Sequence, residues 1–159
     1  MTFDWTTGPL AEGLLCYRTQ QFFEAHEHWE SVWLTLREPE KSFLQSLVQV
    51  SAAFHHLRRG NRIGAISLLS RALRRLDRCS PQFCSIDVAL LRNEAHEWLR
   101  ALQTASAQHP ATYPEFRTLD QAGCQIACGS ATILGKAAFT IPYDGRNNPG
   151  QSHRSFLVK

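Results

Sequence analysis

The chain lacks any uninterrupted apolar run of the ~18 to 20 residues that a membrane-spanning helix needs. Its N-terminus, Met-Thr-Phe-Asp-Trp, also lacks the basic-then-apolar pattern of a signal peptide. The five cysteines are odd in number and show no C-x-x-C spacing, so we expect reduced thiols rather than a disulfide framework. These absences predict a cytoplasmic protein with no membrane segment.

Charge is scarce and nearly balanced. Charged residues make up 19% of the chain, and the formal net charge of +3 is too small to identify a polyanionic partner. Hydrophobic residues reach 43%, and 159 residues suffice for one domain with a real core but are few for two. The composition is therefore typical of a single globular domain.

Apolar residues recur at three- and four-residue spacing in five segments, which predicts five helices. The segments are Leu10 to Tyr17 after Pro9, Phe22 to Leu36, Ser42 to Leu57, Ile63 to Leu76 and Asp87 to Leu102. Thr19 is expected to cap the second helix, and Glu38-Pro39-Glu40 to end it. We predict an all-α fold, a compact antiparallel bundle of four to five helices formed by residues 1–104. Residues 105–159, rich in turn formers, are expected to be a C-terminal extension that is partly irregular or disordered.

The segment from Ser42 to Leu57 contains no formally charged residue, which predicts a central helix buried on most sides. Its main apolar stripe is Phe43, Leu47, Val50, Phe54 and Leu57. Gln45, Gln49, Ala52 and His56 fall together on a second face, which is polar, uncharged and narrow.

A candidate site begins with His26 and Glu30, whose four-residue separation brings them to one point on a helix. An imidazole and a carboxylate are half of a transition-metal site, and His56 with Gln49 from the neighbouring helix can supply the rest. We expect His26 and His56 to converge between the second and third helices. The predicted ligands are His26, Glu30 and His56, for a divalent Zn, Mn or Fe ion.

Glu27 follows the first histidine, as the general base does in H-E-x-x-H metalloproteases, and Glu30 stands in place of the second histidine. Glu27 is therefore the predicted catalytic base. Two alternatives stay open. His26, Glu30, Gln49 and His56 can form a buried hydrogen-bond network that fixes helix register, or the site can be catalytic without a metal. Asn61, after a glycine, is expected to stabilise the turn or cap the fourth helix, with a role at the site as the other interpretation.

Three stretches carry a family resemblance. They are F-F-E-A-H-E-H-W-E-S-V-W, then F-L-Q-S-L-V-Q-V-S-A-A-F-H-H-L-R-R-G-N, then G-A-I-S-L-L. In order and spacing they resemble the bacterial and plastid family called domain of unknown function 309, whose members are sometimes described as predicted metal-dependent hydrolases. The resemblance covers about Leu10 to Leu76 and implies a helical bundle. It also implies that the family's shared polar residues are here His26, Glu27, Glu30, Gln49, His56 and Asn61. The chain departs from the family's Gly-Leu-Ile-Gln by having Ser46 in place of the glycine.

Two functions follow as competing hypotheses. The first is a metal-dependent hydrolase acting on an unidentified small-molecule substrate. The second is a non-catalytic structural or interaction module, assembling as a homodimer through helix faces. Arginines cluster between Arg58 and Arg78, but without stacking aromatics or a recognition motif we expect a solvated face and no nucleic-acid partner.

Overall fold

Five helices account for most of the chain that the computed structural model describes, residues 3–104 and 109–119. They are α1 (Gly8–Arg18), α2 (Phe22–Trp33), α3 (Glu40–Arg58), α4 (Arg62–Leu76) and α5 (Val88–Gln103). A two-stranded antiparallel hairpin, β1 (Gln82–Phe83) and β2 (Ile86–Asp87), lies between α4 and α5. The predicted all-α class and the five helices are confirmed. Among the described residues no helix combines the length and the apolar character needed to cross a bilayer.

Each helix packs against the next one along the chain. The connections around residues 19–21 and 59–61 are short, so consecutive helices reverse direction and lie side by side. At the second reversal Gly60 has a φ of 75°, a left-handed conformation that glycine adopts at no steric cost. The Asn61 side chain then accepts a hydrogen bond from the Gly64 amide at 2.8 Å, which confirms the predicted cap of α4.

The ends of α2 differ from the prediction. Thr19 does not cap this helix, because its hydroxyl donates to the Leu15 carbonyl at 2.9 Å and so completes the end of α1. The helix also ends at Trp33, well before Pro39. Thr35 and Leu36 continue the chain with tighter i to i−3 hydrogen bonds, and this turn leads Leu36 into the core.

The third helix is buried on most sides, as predicted, with Phe43, Leu44 and Leu47 fully enclosed. Its buried hydroxyls have partners. Ser46 donates to the Phe43 carbonyl within the helix. Ser51 donates to the Phe22 carbonyl at 2.6 Å and so links α3 to α2.

Two large apolar residues within the predicted helices are exposed. Ile63 is 83% exposed because it lies roughly 200° around α4 from Ala65, which faces the core. Leu15 in α1 is likewise 64% exposed, whereas Leu14 beside it is buried. In both cases the neighbouring apolar residue occupies the inward position.

Residues 109–119 pack on the bundle without forming a helix. Phe116 lies between Tyr17 and Trp29, with ring centroids 4.2 and 5.3 Å away. Tyr113 stacks on Trp98 at 5.3 Å. The core therefore includes residues beyond 104, and the division of the chain at that position stays a prediction. Residues 120–159 of the predicted extension lie outside the described residues.

The hairpin was not predicted, because its turn contains no asparagine-glycine or aspartate-glycine pair. Cys84 and Ser85 instead adopt positive φ angles of 49° and 60°. The Leu119 amide donates to the Ser85 carbonyl at 2.8 Å, so the hairpin also anchors the end of the 109–119 segment.

Gly13 of α1 lies directly against the Trp29 side chain of α2. A Cβ built there would lie 2.4 Å from Nε1 of Trp29, a buried indole that donates to the Leu10 carbonyl at 3.2 Å. Gly13→Ala should therefore lower the free energy of unfolding by about 1 to 3 kcal/mol, although alanine favours helix by roughly 1 kcal/mol. Chemical denaturation measures this, with exposed Leu15→Ala as the control in the same helix. An unchanged or more stable Gly13→Ala variant would show that the helices separate freely.

Candidate functional site

Three donor side chains meet on α2. The imidazole of His26 is 3% exposed, while the Glu27 and Glu30 carboxylates at its two edges are 55% and 40% exposed. Nδ1 of His26 lies 3.2 Å from Glu27 Oε1, and Nε2 lies 3.7 Å from Glu30 Oε2. One ligand atom from each residue falls within 4.8 Å of the others. We call these residues the His26 cluster, and among the described residues they are the group of histidine, cysteine or acidic side chains suited to a metal ion.

The position of the His26 cluster follows from the apolar stripe of α2. Ala25 and Trp29 are fully buried, and Trp29 packs against Gly13 and Leu10 of α1. His26, one step around the helix from Ala25, therefore lies at the edge of that stripe. The Phe23 ring stacks on His26, with centroids 6.2 Å apart, and also contacts His55 of α3 at 5.4 Å. The α3 histidine on this side of the bundle is therefore His55.

The other α3 histidine, His56, lies outside the His26 cluster. Its Nδ1 is 3.0 Å from Nδ2 of Asn61, whose Oδ1 is already used by the Gly64 amide. The Asn61 amide nitrogen is thus the donor, which makes Nδ1 of His56 the acceptor and leaves its proton on Nε2. Burial, followed by the nearby Arg59 charge, lowers the pKa of His56 and stabilises this neutral form.

Gln45 and Gln49, on the uncharged face of α3, bind an arginine of α4. Nε of Arg75 donates to Gln45 Oε1 at 3.0 Å, and Nη1 donates to Gln49 Oε1 at 3.1 Å. Gln49 is 1% exposed, so this bond satisfies an acceptor that has little access to water. The polar network therefore joins α3 to α4, whereas His26 belongs to α2 and takes no part in these two hydrogen bonds.

A groove of about 690 Å³ opens beside this network. We call it the arginine groove; its lining residues are Glu38, Ser42, Gln45, Gln49, Arg71, Arg74, Arg75 and Arg78. Burial lowers the pKa of Arg75, and repulsion from Arg74, Arg71 and Arg78 lowers it further, with Glu38 opposing. Positive charge is thus concentrated where α4 faces the polar side of α3.

The structure divides the predicted site residues among three places. His26, Glu27 and Glu30 lie together on α2, Gln49 lies in the arginine groove, and His56 and Asn61 pair at the turn before α4. The ligand set that joins His26 and Glu30 with His56 stays a prediction. Sequence reasoning missed Arg75 as the partner of Gln49. The available signal was the spacing of the arginines at positions 71, 74, 75 and 78, of which the first three lie on one side of α4 and Arg78 lies just beyond its end.

A family model described as a domain of unknown function (DUF309) matches residues 10–68. The predicted family resemblance is confirmed. No curated protein matches the chain. The DUF309 segment, residues 10–68, contains the His26 cluster, Gln49, His56 and Asn61, but it ends before the four arginines of the groove. Because the family description names no activity, the match indicates similarity to an uncharacterised family and points to no reaction.

Replacing Arg75 should show how much its hydrogen bonds to Gln45 and Gln49 contribute to the stability of the fold. Arg75→Met relieves charge repulsion but leaves the buried Gln49 oxygen without its donor, whereas Arg74→Met, at an exposed neighbour, only relieves repulsion. We expect Arg75→Met to be less stable than Arg74→Met by about 1 to 3 kcal/mol in denaturant titrations. Equal stability of the two variants would mean that water replaces the guanidinium at Gln49.

The two α3 histidines should make stability depend on pH. Burial lowers the pKa of both His55 and His56 below the ordinary 6.5. At pH values between the lowered pKa of the folded state and the ordinary value of 6.5, the unfolded chain binds more protons than the folded chain does. The free energy of unfolding is therefore greatest above pH 6.5 and decreases as the pH falls. A His55→Gln/His56→Gln variant should show a shallower loss than the wild type between about pH 7 and 5.5, measured by urea titration. Identical slopes would contradict this prediction.

Proposed function

We propose that the chain binds a divalent transition metal, zinc, manganese or iron, through the His26 cluster and uses this site for hydrolysis. The observation that carries the proposal is the convergence of one imidazole and two carboxylates within 4.8 Å on one turn of α2. Imidazole and carboxylate donors suit these metals, and three protein donors leave positions for further ligands.

The surroundings of the three donors support this use. His26 is held by burial and by the Phe23 ring, so its orientation is restrained before any ligand binds. The Glu27 and Glu30 carboxylates are substantially exposed, so a substrate has access to them from solvent. A rigid, buried nitrogen beside accessible oxygens suits a reactive site better than a sealed structural one.

A bound divalent metal would act as a Lewis acid that polarises a carbonyl or phosphoryl group. His26 and Glu30 would hold it, with the imidazole nitrogen and one carboxylate oxygen as donors. Glu27 lies close enough to serve as a third donor or to accept a proton as the general base, but one carboxylate oxygen cannot perform both roles at once. The sequence-based role of Glu27 as base thus competes here with a role as ligand.

The second candidate function is a non-catalytic module. It is supported by the Arg75 network, because Gln45 and Gln49 hydrogen-bond across the α3–α4 interface and fix the register of these helices. In this case the polar residues are structural, and the protein acts through its surface, with a homodimer formed by helix faces as the simplest assembly. Sedimentation of the purified chain measures the assembly state directly.

Metal content tests the first proposal. Protein purified without chelators or a metal-affinity step should contain stoichiometric zinc, manganese or iron, and the added metal should raise the melting temperature by mass action. His26→Ala and Glu30→Gln should lose both the bound metal and this stabilisation. Glu30→Gln is the more diagnostic variant, because the carboxylate is exposed and its removal leaves the core intact.

Two controls make the assignment specific. His28→Ala removes a nearby histidine that pairs with Glu12 at 3.2 Å, and His56→Ala removes the ligand predicted from the sequence. Both variants should retain the metal if the His26 cluster is the whole site. A wild-type protein that contains no metal and gains no stability from added divalent ions would contradict the proposed hydrolase and favour the structural module.

A further inference from the structure

The arginine groove carries an excess of positive charge that its own residues do not neutralise. Four arginines and a single carboxylate, Glu38, line it. Glu38 already accepts a hydrogen bond from the Ser42 amide at 3.2 Å. Among residues 3–104 and 109–119, the ion pairs within 4.0 Å involve none of the four arginines.

The four guanidinium groups are arranged by α4 and its end. Arg71, Arg74, Arg75 and Arg78 follow i, i+3, i+4 and i+7 spacing, so they project from one side of the chain. Arg75 is fixed by the two neutral glutamines, which position its guanidinium without cancelling its charge. Arg75 is thus held in position, with its charge retained, before any ligand binds.

This arrangement is unfavourable in the isolated protein. Like charges at three- and four-residue spacing destabilise a helix, and the lowered pKa of Arg75 reflects burial followed by repulsion from its three arginine neighbours. An anion bound in the groove would offset both the repulsion among the arginines and the cost of burying the Arg75 charge.

We infer that the arginine groove binds a small, multiply charged ligand bearing phosphate groups, either a phosphate ester or inorganic polyphosphate. The guanidinium fork matches phosphate oxygens in pairs, and an excess of three positive charges suits a di- or triphosphate. A volume of about 690 Å³ lies within the range of small-molecule sites, roughly 300 to 1,000 Å³. Among the lining residues that the structure describes there is no aromatic side chain on which bases could stack, which disfavours single-stranded nucleic acid.

This inference does not rest on the proposed hydrolase. The groove lies between α3 and α4, and none of its lining residues belongs to the His26 cluster. Loss of metal binding in Glu30→Gln should leave ligand binding in the groove unchanged, so the two ideas can fail separately.

Titration calorimetry with inorganic tripolyphosphate tests the site, in buffer free of divalent ions at about 150 mM salt, where long-range attraction is screened. We expect saturable binding of one ligand per chain. The Arg71→Gln/Arg74→Gln variant, altered only at exposed positions, should weaken it by at least about tenfold, and Arg75→Gln should weaken it similarly. Arg59→Gln removes one positive charge, as Arg75→Gln does, but from an exposed position outside the groove, and it should change the affinity little.

Three comparisons distinguish a phosphate site from a general anion site, a nucleic-acid surface and a nonspecific positive face. Citrate should bind more weakly than inorganic pyrophosphate, a phosphate anion of similar charge near neutral pH, and equal affinity of these two anions would overturn the assignment to phosphate. Tighter binding of a thymidine oligonucleotide would indicate a nucleic-acid surface instead. Absence of saturable binding, or equal weakening by Arg59→Gln and the groove variants, would reduce the groove to a nonspecific positive face and refute the inference.

Discussion

Burial of α3 is the constraint on which the rest of the structure depends. A helix without formal charge from Ser42 to Leu57 can be enclosed by its neighbours, but each polar group that it carries then needs a partner. Ser51 finds the Phe22 carbonyl in α2, and Gln49 finds Arg75 in α4. The polar residues of α3 thus determine which parts of the adjacent helices can lie against it, while its apolar residues supply the driving force.

Helical geometry separates the proposed metal site from the proposed phosphate-binding groove. Each residue step turns an α-helix by about 100°, so adjacent His55 and His56 point towards different neighbours. His55 meets the α2 side through Phe23, and His56 meets Asn61 at the turn before α4. The metal-binding hypothesis therefore concerns one side of the bundle, and the phosphate-binding inference concerns another. A single polar network linking all the candidate residues is not required by this architecture.

The segment around Tyr113 and Phe116 completes the core from outside the helices. Both rings contact aromatic residues of the bundle, Phe116 being fully buried and Tyr113 partly buried. Full burial of a phenylalanine side chain contributes roughly 1.5 to 3 kcal/mol. The segment has no periodic pattern because it follows the surface of the bundle rather than forming an element of its own. Its two aromatic residues were therefore indistinguishable from ordinary loop residues until their partners were in place.

The sequence alone determined the properties that depend on local spacing. The apolar periods place all five helices, the glycine and asparagine after α3 determine the reversal and its cap, and four-residue spacing brings His26 to Glu30. Only the tertiary structure decided which helix faces meet, because rotation of a buried helix by one residue changes every interhelical partner. That choice paired Gln49 with Arg75 instead of His26, and it opened the groove beside them. The physical reason is that packing of many apolar side chains selects the rotation, and the few polar groups then take the partners that this rotation provides.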